Sequence, residues 1–251
     1  QEVPVIVMEA DDRKAAELAM IENLQREDLN PMEEAAGFQS LIENYHMTQE
    51  EAAQQEIGEL HMRTGGLGYQ VLCDAGMAFL LTRTNSVVHR APALNEEVAL
   101  RTWHRGTRGA QFYRCYEFLD KAGEKLIESV TAFALVDVRD HRLLRPDAFE
   151  PYGLLTQPER RNDCPDPVKW KQPDDMKPAG DHVVRWSEVD WNGHLNNTIY
   201  ANYLCDYLPG GMKGKRITGF SIAFVKEAVE GETLHMTAAE REGEAFVTGA
   251  H

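Results

Sequence analysis

In the first part of the chain, apolar residues recur among polar ones at the spacing of a helix. The stretch "VPVIV" at residues 3–7 predicts a short strand, and "DDRKAAELAMIENLQRE" after it predicts a helix. Asn30 can cap a second helix whose first turn holds Pro31. Thr48 and Glu51 can form a capping box for a third helix, which the pattern extends to about residue 63. The N-terminal segment is therefore predicted to be mainly helical.

From about residue 66 the pattern changes from one further helix to strands. "GLGYQVLCDAGMAFLLTR" has helical periodicity, and its Met77, Phe79 and Leu80 are candidates to line an apolar pocket. Strand-like segments follow it: "SVVHRA", "EVALRTWHRG", "QFYRCYEFLD" and "KLIESVTAFALVDV", with a turn at "DKAG". One helix followed by antiparallel strands predicts a helix wrapped by a curved sheet, in the α+β class.

The pattern restarts after a proline-rich stretch at residues 156–180. A helix, "NTIYANYLCDYL", precedes three strand-like segments, "ITGFSIAFVKEAV", "ETLHMTAAE" and "EAFVTGAH". Because "NEEVALRT" and "EGETLHMT" occupy similar places in the two halves, we expect two helix-plus-sheet units in tandem. The second unit has room for fewer strands than the first, so we expect a C-terminally clipped sheet with an open edge.

This organisation predicts four regions. They are an N-terminal segment at residues 1–54, a first unit at 55–155 that lacks its N-terminal strand, a linker at 156–180, and a second unit at 181–251.

Composition narrows the function classes. Of the net charge of −15, residues 1–54 contribute −10, from 13 acidic and 3 basic side chains. Such a segment repels phosphates, so binding to nucleic acid is unlikely from charge alone. The chain has no apolar run of transmembrane length, and its four cysteines lack metal-ligand spacing. We therefore expect a cytoplasmic protein with reduced thiols, no membrane partner, no cofactor and no metal.

The stretch "WSEVDWNGHLNNTIYANYL" holds the side chains best suited to catalysis. Asp190, Asn192 and His194 alternate, so an extended strand would place all three on one face. Gly193 permits a turn, and the helix that follows offers unpaired N–H groups for a developing oxyanion. The alternative is that this stretch is merely a helix cap, a role suited to Asn196 or Asn197.

The same stretch, "SEVDWNGHLNNTIYANYLCDYLP", resembles the second-domain motif of the acyl-ACP thioesterases. The segments "LGYQVLCDAGMAFLLTR", "EEVALRTWHRG" and "RLLRP" resemble that family's first domain, so the resemblance covers about residues 54–251. It implies a tandem hot-dog fold and catalytic roles for Asp190, Asn192 and His194. In "FVKEAVEGE", Glu227 falls on the family's catalytic Glu of a later strand. Ala228 stands where the plant enzymes have Cys, which favours activation of water over a cysteine nucleophile.

The resemblance implies thioester hydrolysis of acyl-ACP or acyl-CoA, with release of a free fatty acid. Asn192 and His194 would donate to the acyl carbonyl, Glu227 would activate water, and Asp190 would orient the other two. Direct attack by Asp190 stays open. The acyl carrier protein is acidic, so a basic patch should receive it. The candidates, which ordinary solvated charge would also explain, are Arg101, Arg105, Arg108, Lys169, Lys171 and Lys177.

The N-terminal segment has a different resemblance. Residues 3–53, "VPVIVMEADDRKAAELAMIENLQREDLNPMEEAAGFQSLIENYHMTQEEAA", resemble the N-terminal domain of ParB-family partition proteins. That resemblance implies that Glu22, Asn23 and Arg26 belong to a CTP site. The family's upstream G-E-R-R box and its helix-turn-helix are both absent from this chain. The chain is thus predicted to be a fusion of two fragments, joined near Gln54.

We therefore expect a thioester hydrolase that works as a monomer or a homodimer on an acyl carrier protein that carries an acyl chain. One alternative is a catalytically inactive acyl-binding hot-dog module. The other is a partition-type CTP-binding fragment that carries the thioesterase as a passenger.

Overall fold

The computed structural model describes residues 57–58, 60–67, 69–93, 96–140, 142–169, 171–190, 193–241 and 243–250. The strand predicted at residues 3–7, the N-terminal helices, and the ParB-like Glu22, Asn23 and Arg26 all lie outside these residues. The helix predicted to run to residue 63 is helical in its described part, at residues 57–58 and 60–64. Met62 of this helix packs in a core cluster with Phe112, Leu135 and Phe149.

Most of the described chain is antiparallel sheet. A short helix, α1 (Tyr69–Asp74), precedes β1 (Met77–Val88), and the sheet continues with β2 (Ala99–Arg108), β3 (Gln111–Leu119), β4 (Lys125–Asp137) and the short β5 (Arg142–Leu143). The sheet has the order β2-β3-β4-β1, with β5 beside β4 and β7 (Gly219–Ala223) beside β1. The predicted turn at "DKAG" joins β3 to β4, where Gly123 has a φ of +84°. The α+β class predicted from the sequence agrees with this arrangement.

The helix predicted over residues 66–83 is wrong for most of its length. Only Tyr69–Asp74 is helical, Gly76 follows with a φ of +66°, and Met77 already starts β1. Met, Ala and Leu are good helix formers, but β1 pairs with β4 along its length and with β7 on its other side. These ladders outweigh local helix propensity, as tertiary contacts commonly do. The first three residues of the strand predicted as "SVVHRA", 86–88, are the end of this longer strand, and residues 89–91 lie beyond it.

The proline-rich stretch packs closely on the first sheet. Trp103 of β2 donates its indole N–H to the Arg160 carbonyl at 2.9 Å, and the Arg160 guanidinium stacks 3.9 Å from the Trp103 ring centroid. Asn162 and Cys164 are buried, and the Asn162 amide donates to the Ser129 carbonyl at 3.0 Å. These contacts hold residues 160–164 against β2 and β4. The four region boundaries stay a prediction.

A second, three-stranded sheet follows in the order β6-β8-β9. It consists of β6 (Lys177–Val183), β8 (Thr233–Arg241) and β9 (Glu244–Ala250), and the helix α2 (Ile199–Asp206) belongs to the same half. Ile199 and Tyr203 of α2 pack in one core cluster with Val184, Leu234 and Met236. The hairpins β2–β3 and β8–β9 occupy corresponding places in the two halves, as the repeat predicts. None of the described helices is long and apolar enough to cross a membrane.

Candidate active site

The segment that carries the predicted catalytic residues is a tight turn. Val189 and Leu195 form an antiparallel bridge, and the Asp190 N–H donates to the His194 carbonyl at 2.7 Å. The Gly193 N–H returns to the Asp190 carbonyl at 3.0 Å, and Gly193 has a φ of +79°. The extended strand that would align Asp190, Asn192 and His194 is therefore wrong, because positive φ at Gly193 folds the chain back. Asn192 itself lies outside the described residues.

Asp190 holds the backbone of this turn. Its Oδ1 accepts the N–H of His194 at 3.2 Å, in addition to the two backbone hydrogen bonds across the turn. Charge-assisted hydrogen bonds of this kind are stronger than those between neutral groups. Asp190 therefore contacts His194 through the main chain of that residue. Its predicted role in orienting both Asn192 and His194 stays a prediction.

His194 and Glu227 come together from distant parts of the sequence. His194 Nε2 lies 3.5 Å from Glu227 Oε2, and the two side chains are 35% and 57% exposed. The approach is fixed by the backbone, since His194 bridges to Val229 and the Leu195 N–H donates to the Ala228 carbonyl at 2.7 Å. Two candidates are thus adjacent and reachable from solvent.

Glu227 does not lie on a strand. β7 ends at Ala223, and residues 224–228 are irregular. The strand predicted over "ITGFSIAFVKEAV" is correct only in its first half. The Phe224 N–H still donates to the Thr82 carbonyl of β1 at 2.9 Å, and beyond it the backbone of Ala228 and Val229 contacts the His194 loop.

A turn closed by Asn196 precedes α2. Asn196 Oδ1 accepts the Thr198 N–H at 3.0 Å, and the Asn196 carbonyl accepts the Ile199 N–H at 3.0 Å. The N-cap of α2 is Thr198, which makes no side-chain cap hydrogen bond, so Asn196 closes the turn ahead of the helix and neither Asn196 nor Asn197 is its N-cap. The Ile199 N–H, the first of the helix, is engaged by Asn196 and is not available for the oxyanion role predicted for this helix terminus.

Two aromatic side chains next to the site were missed by sequence reasoning. The Tyr200 ring meets the Phe224 ring edge-on, with 5.2 Å between centroids. Burial raises the pKa of Tyr200, and the charge of Glu227 raises it further, which reflects the proximity of the carboxylate. A tyrosine in the first turn after the cap is a weak signal, since it looks like an ordinary core residue.

A second histidine–carboxylate pair was also missed. His182 of β6 and Glu188 lie 2.8 Å apart, and both side chains are 15% exposed. Glu188 lies in the stretch that carries the predicted catalytic residues but had no predicted role there, and His182 lies outside that stretch. The contact forms where the end of β6 meets the short 3₁₀ helix Trp186–Glu188.

The basic candidates do not form one uniform patch. Arg105 is 7% exposed and bonds Asp166 at 2.5 Å, which makes it a structural residue. Arg108 is 67% exposed and shares the same carboxylate. The remaining candidates are exposed: Arg101, Lys169, Lys171 and Lys177.

The predicted pocket residues lie on β1 and not on a helix. Met77 is buried, and Phe79 meets Phe112 and Phe149 edge-on at 5.0 and 5.1 Å. Leu80 is 43% exposed, because neighbouring residues of a strand point to opposite faces. The three cannot line one pocket together.

Two family models match the chain and together cover most of it. The acyl-ACP thioesterase N-terminal domain matches residues 40–151, and the C-terminal domain of the same family matches residues 172–251. The chain belongs to the acyl-ACP thioesterase family. Its activity class is accordingly that of the thioesterases.

Solved structures of thioesterases have the same fold. An acyl-ACP thioesterase from Bacteroides thetaiotaomicron superposes with a TM-score of 0.62 at 20% identity, over 82% of this chain and 86% of that one. The 12:0-ACP thioesterase from Umbellularia californica gives a TM-score of 0.63 at 19% identity, over 78% of this chain and 82% of that one. The predicted tandem hot-dog fold is thereby confirmed.

The ParB resemblance is confirmed for a short segment. The chain is 58% identical over 55 residues to the chromosome-partitioning protein Spo0J of Thermus thermophilus, which is 22% of this chain. The chain spans about a fifth of the length of that relative. The thioesterase therefore carries a ParB-like segment.

Proposed function

We propose that the chain hydrolyses the thioester of an acyl-ACP and releases a free fatty acid and the carrier thiol. The observation that carries the proposal is the 3.5 Å approach of His194 Nε2 to Glu227 Oε2 at a turn held by Asp190. A base and a hydrogen-bond donor side by side, both partly exposed, are the minimum for water attack on a thioester carbonyl.

The reaction runs through water activated by Glu227. The Glu227 carboxylate takes a proton from the water while the water oxygen bonds to the acyl carbon, and the carbonyl oxygen becomes an oxyanion. His194 and Asn192 donate hydrogen bonds to that oxyanion. When the C–S bond breaks, the sulfur leaves with the proton held by Glu227, and the acid remains.

The local structure favours water over an enzyme nucleophile. Ala228 has no thiol, and its side chain is 2% exposed within the core cluster beneath the site. Asp190 already binds the His194 N–H, a contact that suits a positioning role. Attack by Asp190 would form an acyl anhydride and release the carrier thiol. Under single-turnover conditions in ¹⁸O-water, attack of water on the Asp190 carbonyl carbon of that anhydride would leave label in Asp190, which direct attack of water on the thioester never does.

The acyl carrier protein is the proposed partner. Its acidic surface requires basic side chains on an enzyme that itself carries a net charge of −15. The exposed candidates are Arg101, Arg108, Lys169, Lys171 and Lys177. Faster turnover of acyl-ACP than of acyl-CoA, with a rate that falls as salt rises, is the result that this partner predicts.

The decisive experiment measures free-thiol release from a panel of acyl-ACPs and acyl-CoAs. We expect His194→Ala and Glu227→Ala each to lose about 10²–10⁴-fold in kcat, the usual contribution of a proton-transfer residue. Glu230→Ala is the matched control, because it removes an exposed carboxylate three residues further along the chain. We expect it to retain turnover.

The alternatives give different results. A chain that melts cooperatively, binds acyl chains and releases no thiol would contradict hydrolysis and identify an acyl-binding module. The ParB similarity supports a second test, in which CTP binding that is lost in Arg26→Ala would indicate a partition-type nucleotide site.

A further inference from the structure

The pair formed by His182 and Glu188 lies at the base of the turn that carries His194. His182 Nε2 lies 3.0 and 2.8 Å from the two Glu188 carboxylate oxygens. Burial raises the pKa of Glu188, but the hydrogen bonds from His182 and from the Arg185 N–H outweigh it, and the pKa lies below its usual value. Glu188 is therefore a carboxylate at neutral pH and accepts from both partners.

Glu188 accepts hydrogen bonds from the chain before it and from the chain after it. Its side chain accepts the Arg185 N–H at 2.7 Å, which closes the 3₁₀ turn before the loop. Its backbone carbonyl accepts the Asn196 N–H at 2.9 Å, which closes the loop after His194. The loop between them holds Asp190 and His194, so any shift of Glu188 moves both.

His182 connects this corner to α2. Its Nδ1 lies 3.3 Å from the Tyr207 hydroxyl, and its ring lies 4.4 Å from the ring of Tyr203. Tyr203 is 4% exposed and belongs to the same core cluster as Val189 and Leu195. The imidazole is thus held by packing before it contacts Glu188.

The end of β6 also reaches the segment that carries Glu227. The Val184 N–H donates to the Glu232 carbonyl, and the Gly231 N–H donates to the Val184 carbonyl, both at 2.9 Å. Glu232 in turn accepts the Val229 N–H through its side chain at 2.9 Å. One short stretch, residues 182–184, therefore contacts both of the segments that meet at the candidate site.

We propose that His182 and Glu188 are positioning residues, whose contact fixes the base of the 189–195 loop and so sets His194 against Glu227. This inference rests on the proposed function. It adds two residues that touch neither the substrate nor the reacting atoms and that act through the loop. A displacement of about 1 Å at such a site can cost on the order of 10²-fold in rate.

Glu188→Gln is the sharpest variant. Glutamine keeps the length of the side chain and an oxygen that can still accept the Arg185 N–H, since Gln also serves in capping boxes. The charge, which also acts on the buried Tyr203 hydroxyl, and one acceptor towards His182 are lost. We expect kcat for acyl-ACP to fall about 10-fold to 100-fold while KM changes less than about 2-fold, because an orienting contact is removed and the acyl site is untouched.

The chain offers a matched control on the same strand. Asp181, the residue before His182, contacts His235 Nδ1 at 2.8 Å, but these side chains are 65% and 63% exposed. Asp181→Asn removes a histidine–carboxylate contact of equal length that does not touch the loop. We expect it to leave kcat and KM unchanged. The double variant His182→Gln/Glu188→Gln should be no slower than the slower single variant, because both act through one contact.

The second readout is independent of turnover. We expect the imidazole Cε1–Hε1 resonance of His194 in the NMR spectrum to shift in Glu188→Gln and to stay in place in Asp181→Asn. An unmoved resonance together with an unchanged kcat would overturn the inference, even if the thermal midpoint fell. A parent chain without turnover would refute the proposed function, while the His194 resonance would still decide the positioning role.

Discussion

Gly193 illustrates how one residue sets the geometry of the candidate site. Its φ of +79° lets the Asp190 and His194 backbones bond across the turn. This conformation costs a residue that has a Cβ roughly 1–2 kcal/mol. A Cβ at Gly193 would meet no atom within 4 Å, so strain is the only cost of an alanine there.

Gly193→Ala should therefore slow turnover by distorting the loop. We expect stability to fall by about 1–2 kcal/mol and kcat to fall on the order of 10-fold or more, since the orientation of His194 changes. Gly214→Ala is the control, because Gly214 has a φ of +76° and equally open surroundings in an exposed turn outside the 189–195 loop. The test measures stability by urea denaturation and activity by thiol release for both variants. Equal losses of activity in the two would contradict a special role for Gly193.

For single residues, the sequence predicts the candidates for the site more readily than it predicts their geometry. The spacing of Asp190, Asn192 and His194 and a family resemblance both point to these residues, whereas Glu227 is predicted from the resemblance alone; the family models agree with that resemblance. The spacing of Asp190 and His194 predicts a strand, because an alternating pattern of side chains carries no information about the positive φ of Gly193 between them. His182 and Glu188 had no local signal, since their contact exists only after β6 and the 3₁₀ turn have folded together.

At the scale of elements, the proline-rich stretch shows how composition can mislead. It is predicted to be a linker over residues 156–180, and it does lack regular structure over residues 157–169, but its last residues, 177–180, begin β6. A buried polar cluster nevertheless ties it to β4. Glu128 of β4, whose side chain is 0% exposed, accepts from Lys125 Nζ at 2.8 Å, from His89 Nε2 at 2.8 Å and from the Asp163 N–H at 3.0 Å.

Glu128→Ala should release this stretch from the sheet. The variant removes a buried acceptor from the Asp163 N–H, while Lys125 Nζ, whose side chain is 35% exposed, keeps its contact with Asp163 at 2.8 Å. Leaving a buried hydrogen-bonding group without its partner typically costs about 1–3 kcal/mol. Asp163→Ala is matched to it, because Asp163 bonds the same Lys125 Nζ at the same 2.8 Å but is 83% exposed. We expect that change to cost less than about 1 kcal/mol. Chemical denaturation distinguishes the two, and similar costs would contradict the buried role of Glu128.

β1 is a second element for which the sequence pattern and the observed structure differ. Its sequence has helical periodicity, yet β4 and β7 pair with it on both edges. Strands β2, β3 and β4 were located correctly, since their β-branched and aromatic residues agree with the partners that the sheet provides. Prediction failed where local preference and long-range pairing disagreed.

At the scale of the whole molecule, β7 joins the two halves. It follows α2 in sequence but pairs with β1 of the first sheet, from Arg83 opposite Ala223 to Val87 opposite Gly219. The irregular segment that begins after Ala223 carries Glu227. The first half therefore anchors the strand that delivers a candidate catalytic residue to the second, a relation that the tandem repeat alone did not predict.

Gly219 lets β7 approach β1 closely. A Cβ at this position would lie 2.9 Å from the Ser86 carbonyl oxygen, a backbone atom that can move only with its strand. Gly219→Ala should therefore push β7 away from β1, at a cost of roughly 1–3 kcal/mol for overpacking. The amides of Val88 and Phe224, which bond the Thr218 and Thr82 carbonyls at 2.9 Å, should exchange faster with solvent.

Gly249→Ala separates this effect from simple crowding. A Cβ there would also meet an atom at 2.9 Å, but that atom is the Met236 sulfur within the second sheet, which a flexible side chain can withdraw. We expect hydrogen exchange to change only in β8 and β9, and turnover to persist. In Gly219→Ala, by contrast, thiol release should fall together with protection at Phe224, because Glu227 loses its anchor. Unchanged turnover with loss of that protection would mean that Glu227 is held by the His194 loop alone, without the first half.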